Sequence, residues 1–158
     1  MARRRRYKAW PVEAREPHSE IVKRQSVIAS MVDISIQEGI KGHNKEIVKR
    51  LAPLIHQRAR EMQDYCGVIL VMLDEEKTGR PPKWYTIIQD IQHKALGIAE
   101  LAEKEIAPAL RRNEMVYIGS VLRCLKVEIQ SVKRLLEENP YRPGLEVWED
   151  VVREALKD

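Results

Sequence analysis

At 158 residues the chain has room for one sizeable core and not for two, so one domain with an appendage is expected. Its net charge of +4 conceals an asymmetry: residues 1–60 hold 14 Lys and Arg against 6 Asp and Glu, a surplus of 8, whereas residues 61–158 hold 14 against 18, a deficit of 4. The longest apolar run, Val68–Leu73, is too short to span a bilayer, and the early arginines lead into Trp10-Pro11 instead of an apolar stretch, so neither membrane insertion nor a secretory leader is expected and synthesis belongs to a cytoplasm.

The chain opens with Arg3, Arg4, Arg5 and Arg6, followed by Tyr7, Lys8 and Trp10. Like charges repel along this run and it offers no apolar face, so it cannot order by itself in water. Residues 1–17 therefore read as a basic arm and residues 18–158 as the folded domain. A first helix is expected from about Ser19 to Glu38, where Ile21, Val27, Ile28, Met31, Val32 and Ile34 recur at helical spacing. Gly39 and Gly42 bracket a turn, and Asn44 precedes a second helix from Lys45 to about Glu76. Its apolar stripe runs Val48, Leu51, Ile55, Met62, Tyr65 or Cys66, Ile69 and Leu73, and Pro53 is expected to kink it or split it in two.

Thr78-Gly79-Arg80-Pro81-Pro82 is the strongest break in the chain. A third helix is expected from about Lys83 to Leu110, ended or bent at Pro108. A fourth, about Glu114 to Glu138, carries an unbroken three-four alternation through Met115, Ile118, Leu122, Leu125, Ile129, Val132 and Leu136, the spacing of helices packed at shallow angles. After Asn139–Gly144 a short amphipathic helix is expected, with Trp148, Val152 and Leu156 on one side. These periods predict an all-α fold: an antiparallel helical bundle with an extended arginine-rich N-terminal arm.

Chemistry is sparse. No phosphate-binding glycine loop, dinucleotide fingerprint, His-Glu-x-x-His or nucleophile elbow occurs, so neither enzymatic activity nor a cofactor is expected. Asp90-x-x-His93 has the spacing of one half of a bundle metal site, but no second copy accompanies it, so no metal is expected either. Glu100, Glu103 and Glu105 read as a solvated face with Lys94 and Lys104. Cys66 and Cys124 sit in apolar surroundings without Cys or His at ligand spacing and are expected to be buried free thiols. The lack of Phe and the abundance of Lys, Arg and Glu lean toward a thermophilic source.

The basic residues are more coherent. Lys45, Lys49, His56 and Arg60 step along one side of the second helix, with Lys41 before them, Lys23 and Arg24 on the first helix, and Arg50 and Arg58 flanking. Together with Arg15 and the arm, this set predicts contact with the phosphate backbone of nucleic acid, which fixes position without reading sequence. Tyr7 and Trp10 add flat rings for stacking on a base, a sugar or a neighbouring surface.

An arginine-rich arm running into an antiparallel bundle resembles the major coat proteins of filamentous viruses that infect hyperthermophilic archaea. In that family paired subunits wrap double-stranded DNA with their N-terminal regions while bundles form the outer wall. The resemblance implies a virion protein that partners DNA, copies of itself and, as in members built from two related chains, a second coat subunit. Arg3, Arg4, Arg5, Arg6, Lys8, Arg15, Lys23, Arg24, Lys45, Lys49, Arg50 and Arg60 would then face phosphate, and the interrupting Glu13, Glu16 and Glu20 would face subunits or solvent. A dimeric DNA-binding regulator or architectural factor is the alternative.

Overall fold

The computed structural model describes residues 12–75 and 83–138. The arginine run with Tyr7, Lys8 and Trp10, the Thr78–Pro82 break and the expected C-terminal helix lie outside the described residues. A 3-10 turn, Val12–Ala14, leads into α1, Arg15–Ile34, which continues as π-helical Ser35–Lys41. Helix α2 is Lys45–Glu75; α3 is Lys83–Glu100, followed by π-helical Leu101–Ile106 and α4, Ala107–Arg111; α5 is Met115–Glu138. Every described element is helical, so the chain is all-α.

Three features differ from expectation. Helix α1 starts at Arg15, ahead of Ser19, because Pro17 sits in its first turn, where an N–H has no intrahelical partner to lose. Ala14 and Pro17 are already buried, so residues 12–17, expected in the arm, belong to the helical body. Helix α2 runs unbroken through Pro53; the hydrogen bond this proline withholds is from the carbonyl of Lys49, an exposed residue whose carbonyl loses least by facing water. The third correction concerns Cys124, which is exposed while Cys66 is buried. Cys124 falls between the inward positions Leu122 and Leu125 and outside the three-four stripe.

Helix α1 packs on α2 and α5, and α3 packs on the same two. Side-chain contacts join the neighbours: Arg24 meets Glu61 across α1 and α2, His56 meets Ala99 across α2 and α3, Gln25 meets Ile129 across α1 and α5, and Lys94 meets Glu128 across α3 and α5. Isoleucine is the commonest residue of the bundle-like core between them, including Ile21, Ile28, Ile55, Ile88, Ile98 and Ile118, all at 0% exposure. Each such side chain contributes about 1.5–3 kcal/mol on burial. A helix already restricts Ile to nearly one χ1 rotamer, so fixing it in the core costs little further freedom.

The two π segments have a readable cause. Inward positions of α2 (Val48, Ala52, Ile55, Ala59, Met62, Cys66, Ile69) and of α5 (Ile118, Leu122, Leu125, Ile129, Val132) alternate four and three, near the natural period of an α-helix. At the ends of the other two rods the spacing becomes four and four again: Ile28, Val32, Ile36, Ile40, and Ile98, Ala102, Ile106, Leu110. At about 100° per residue each step of four overshoots a full turn by about 40°. A wider π turn absorbs the overshoot and keeps these side chains facing inward. Ser35 also donates its hydroxyl to the Met31 carbonyl at 2.8 Å, a local competitor of the α-helical ladder.

Both π segments lie at the same end of the molecule, and the turns after them are built alike. His43 and Asn113 take positive φ, 53° and 56°. The following N–H reaches back five residues, Asn44 to the Gly39 carbonyl and Glu114 to the Ala109 carbonyl, both at 3.0 Å, as in glycine-type helix ends. Gly42, the glycine of the first turn, has φ −84°, so the left-handed residue is His43. Lys45 donates to the Asn113 side-chain oxygen and ties the two turns together.

At Gly39 the backbone of the first rod approaches α2 so closely that an added Cβ would collide with Cγ2 of the buried Val48. Gly39→Ala is therefore expected to cost about 1–3 kcal/mol by overpacking. Adding Val48→Ala should return part of that loss, so that denaturant unfolding gives a double variant less destabilised than the sum of the singles. Thiol titration of the native protein should find Cys124 reactive and Cys66 silent until unfolding, since burial pushes the Cys66 thiol up to about 12.

Candidate nucleic-acid interface

The expected phosphate-facing residues within the described chain fall into two groups. At the end that carries the turns, Lys41, Lys49 and Arg50 are exposed. None of the three forms an ion pair among the described residues. Lys45, half-buried, is turned toward Asn113. Free ammonium and guanidinium groups are the form in which a protein meets a polyanion, because no internal carboxylate must first be released. Exposed Glu38 and Glu46 share this end and dilute its field.

The second group, midway along α1 and α2, is already engaged. The Arg24 side chain, 15% exposed, donates to Glu20 and to Glu61, the latter at 3.2 Å, and its guanidinium lies 4.8 Å from the Tyr65 ring centroid. Arg58 donates to the same Glu61 oxygen at 2.8 Å. Lys23 pairs with Glu20 at 3.4 Å, and Arg60 donates to Gln63 at 3.4 Å. Burial works against the Arg24 charge, but the Glu20 and Glu61 carboxylates outweigh it and hold the group above its ordinary value. The hydrogen bond from Arg24 lowers Glu20, and that from Arg58 lowers Glu61. These contacts join α1 to α2, with a stacked cation whose planar fork suits two carboxylates at once. Arg15 is exposed at the start of α1. Arg3, Arg4, Arg5, Arg6, Tyr7, Lys8 and Trp10 lie outside the described residues.

The acidic and histidine motifs resolve into separate contacts. His56 bridges the rods, with Nδ1 3.0 Å from the Ala99 carbonyl and Nε2 3.0 Å from a Glu103 oxygen. Tyr117 donates to Glu105 at 2.6 Å, which raises the phenol above its usual range, and Lys104 approaches Glu100 at 3.9 Å. Asp90 and His93 are exposed, and no group of three potential metal-ligating side chains occurs among the described residues. No described helix is long and apolar enough to cross a membrane. Arg24, expected among the phosphate-facing cations, stands four residues after Glu20, a spacing that permits a pair; Arg50 stands four after Glu46 and forms none among the described residues. Comparison with protein-family models, curated proteins and solved structures finds no match.

Because Glu20 and Glu61 are lowered in the folded state, the stability they confer is complete above their unfolded value of about 4.3 and disappears as pH falls through the lower folded values. Unfolding titrations taken from neutral pH into strong acid should show the wild type losing more stability than the Glu20→Gln/Glu61→Gln variant, which lacks this acid-labile contribution from the outset.

Proposed function

We propose that the chain is a structural protein that binds double-stranded DNA through its phosphate backbone, without sequence preference, and assembles with further copies of itself into a nucleoprotein filament, as a viral coat protein would. In this reading an arginine-rich arm extends from an antiparallel helical bundle; the protein is made in a host cytoplasm and resides in the virion, alone or with a related second subunit. The observation that carries it is the charge concentration: a surplus of 8 positive charges over residues 1–60, headed by four consecutive arginines. The exposed Lys41, Lys49 and Arg50, unpaired among the described residues, extend that supply beyond the arm. Lys and Arg on phosphates release condensed counterions, so such binding is strong at low salt whatever the base sequence. No enzymatic role is part of the proposal.

Binding to unrelated duplexes of equal length should be equally tight, and the logarithm of the association constant should fall linearly with the logarithm of salt concentration. Deleting residues 1–11, which leaves the helical body intact, should flatten that slope by roughly 3 to 4 or more, one step for each arginine of the run that held a phosphate. A footprint confined to one defined sequence would instead favour a dimeric regulator or architectural factor and overturn the filament reading.

A further inference from the structure

At the end of the molecule that carries the turns, α2 and the third rod part to leave a cavity of about 600 Å³, open on one side. Its origin is local. The π turn at Leu101–Ile106 widens the third rod, Pro53 faces it from α2, and Ala52, Ala102 and Ala107 fill little of the space between, with Leu110 closing the inner end. π-Helical insertions are frequent at functional sites. The volume is that of small-molecule sites, which are largely apolar with a few converging polar groups.

Three of the polar groups here are cationic. Lys45 and Lys49 line the cavity from α2 and Arg111 from α4. Lys45 is turned toward a neutral partner, the Asn113 amide oxygen, and Lys49 and Arg111 form no ion pair among the described residues. On the other side stand Glu46 and Glu103. Nε2 of His56 lies 3.0 Å from a Glu103 oxygen. Three cations share the cavity with two carboxylates, Glu46 and Glu103, above an apolar floor.

We propose that this cavity binds an amphipathic anion, with a carboxylate or phosphate head held by Lys45, Lys49 and Arg111 and a short aliphatic body lying on the floor made by Pro53 and the alanines. The site is independent of the DNA reading, although it shares Lys45 and Lys49 with it. Arg111 and Ala107 belong to the cavity alone, so variants there separate the two.

Calorimetric titration of the full chain, freed of nucleic acid, tests this with octanoate, octyl phosphate, 1-octanol and inorganic phosphate as probes. One saturable site for octanoate or octyl phosphate is expected, the tighter of the two identifying the head. Neutral 1-octanol and apolar-free phosphate should each bind at least about tenfold more weakly. Arg111→Gln should weaken binding by about tenfold, and Ala107→Leu, a half-exposed position, should abolish it by filling the space while helical content and DNA affinity stay unchanged. Saturation by neither anion would overturn the proposal, as would 1-octanol binding as tightly as octanoate. Binding that survives both variants would place the ligand elsewhere and overturn it equally.

Discussion

Four rods of unequal sequence share one core only if each keeps its apolar stripe aimed at the same axis along its length, and this phase constraint shapes the molecule. Two rods meet it with an ordinary three-four alternation. The other two carry four-residue spacings at their C-terminal ends and meet it by widening into π turns. Both adjustments fall at one end, so that end departs most from regular helix packing: Gly39 presses on Val48, two left-handed residues close the turns, and α2 and the third rod separate. A regular bundle would have filled this space with interdigitating side chains.

The division of charge follows from the same geometry. Midway along α1 and α2, where the rods pack closely, Arg24 and Arg58 converge on Glu61 and become part of the joint between helices. Isolated exposed pairs of this kind contribute little, about 0–1 kcal/mol each. The largely buried, ring-stacked Arg24 sits at the favourable end of that range because its position is fixed by Tyr65 and two carboxylates. Toward the turns Lys41, Lys49 and Arg50 form no ion pair among the described residues, although Glu38 and Glu46 share that end, and their charge stays available to an outside anion. A cation counted from sequence is thus a candidate for phosphate only after its helical neighbours have been checked for a partner.

Much of the fold was legible. The alternation through Met115–Leu136 located α5 almost to the residue, and the apolar stripe of α2 identified its buried side despite Pro53. The π turns were legible in principle, since Ile98, Ala102, Ile106 and Leu110 spell out a period of four that an α-helix does not keep. The proline at 108 drew attention to the right place for a different reason. What the sequence hid was pairwise: that Arg24 also reaches Glu61, 37 positions on, and that small residues on two distant segments face each other across a cavity. Such facts depend on which helix lies beside which, and periodicity within one helix carries no information about its neighbour.

The central claim is that a cationic leader and the lysine-bearing end of the bundle clamp DNA through its phosphates and polymerise along it. Electron microscopy of the purified full chain, with and without a long duplex of arbitrary sequence, tests it most directly. The account predicts uniform filaments whose length follows that of the DNA. Dispersed particles that never coat the duplex would contradict it.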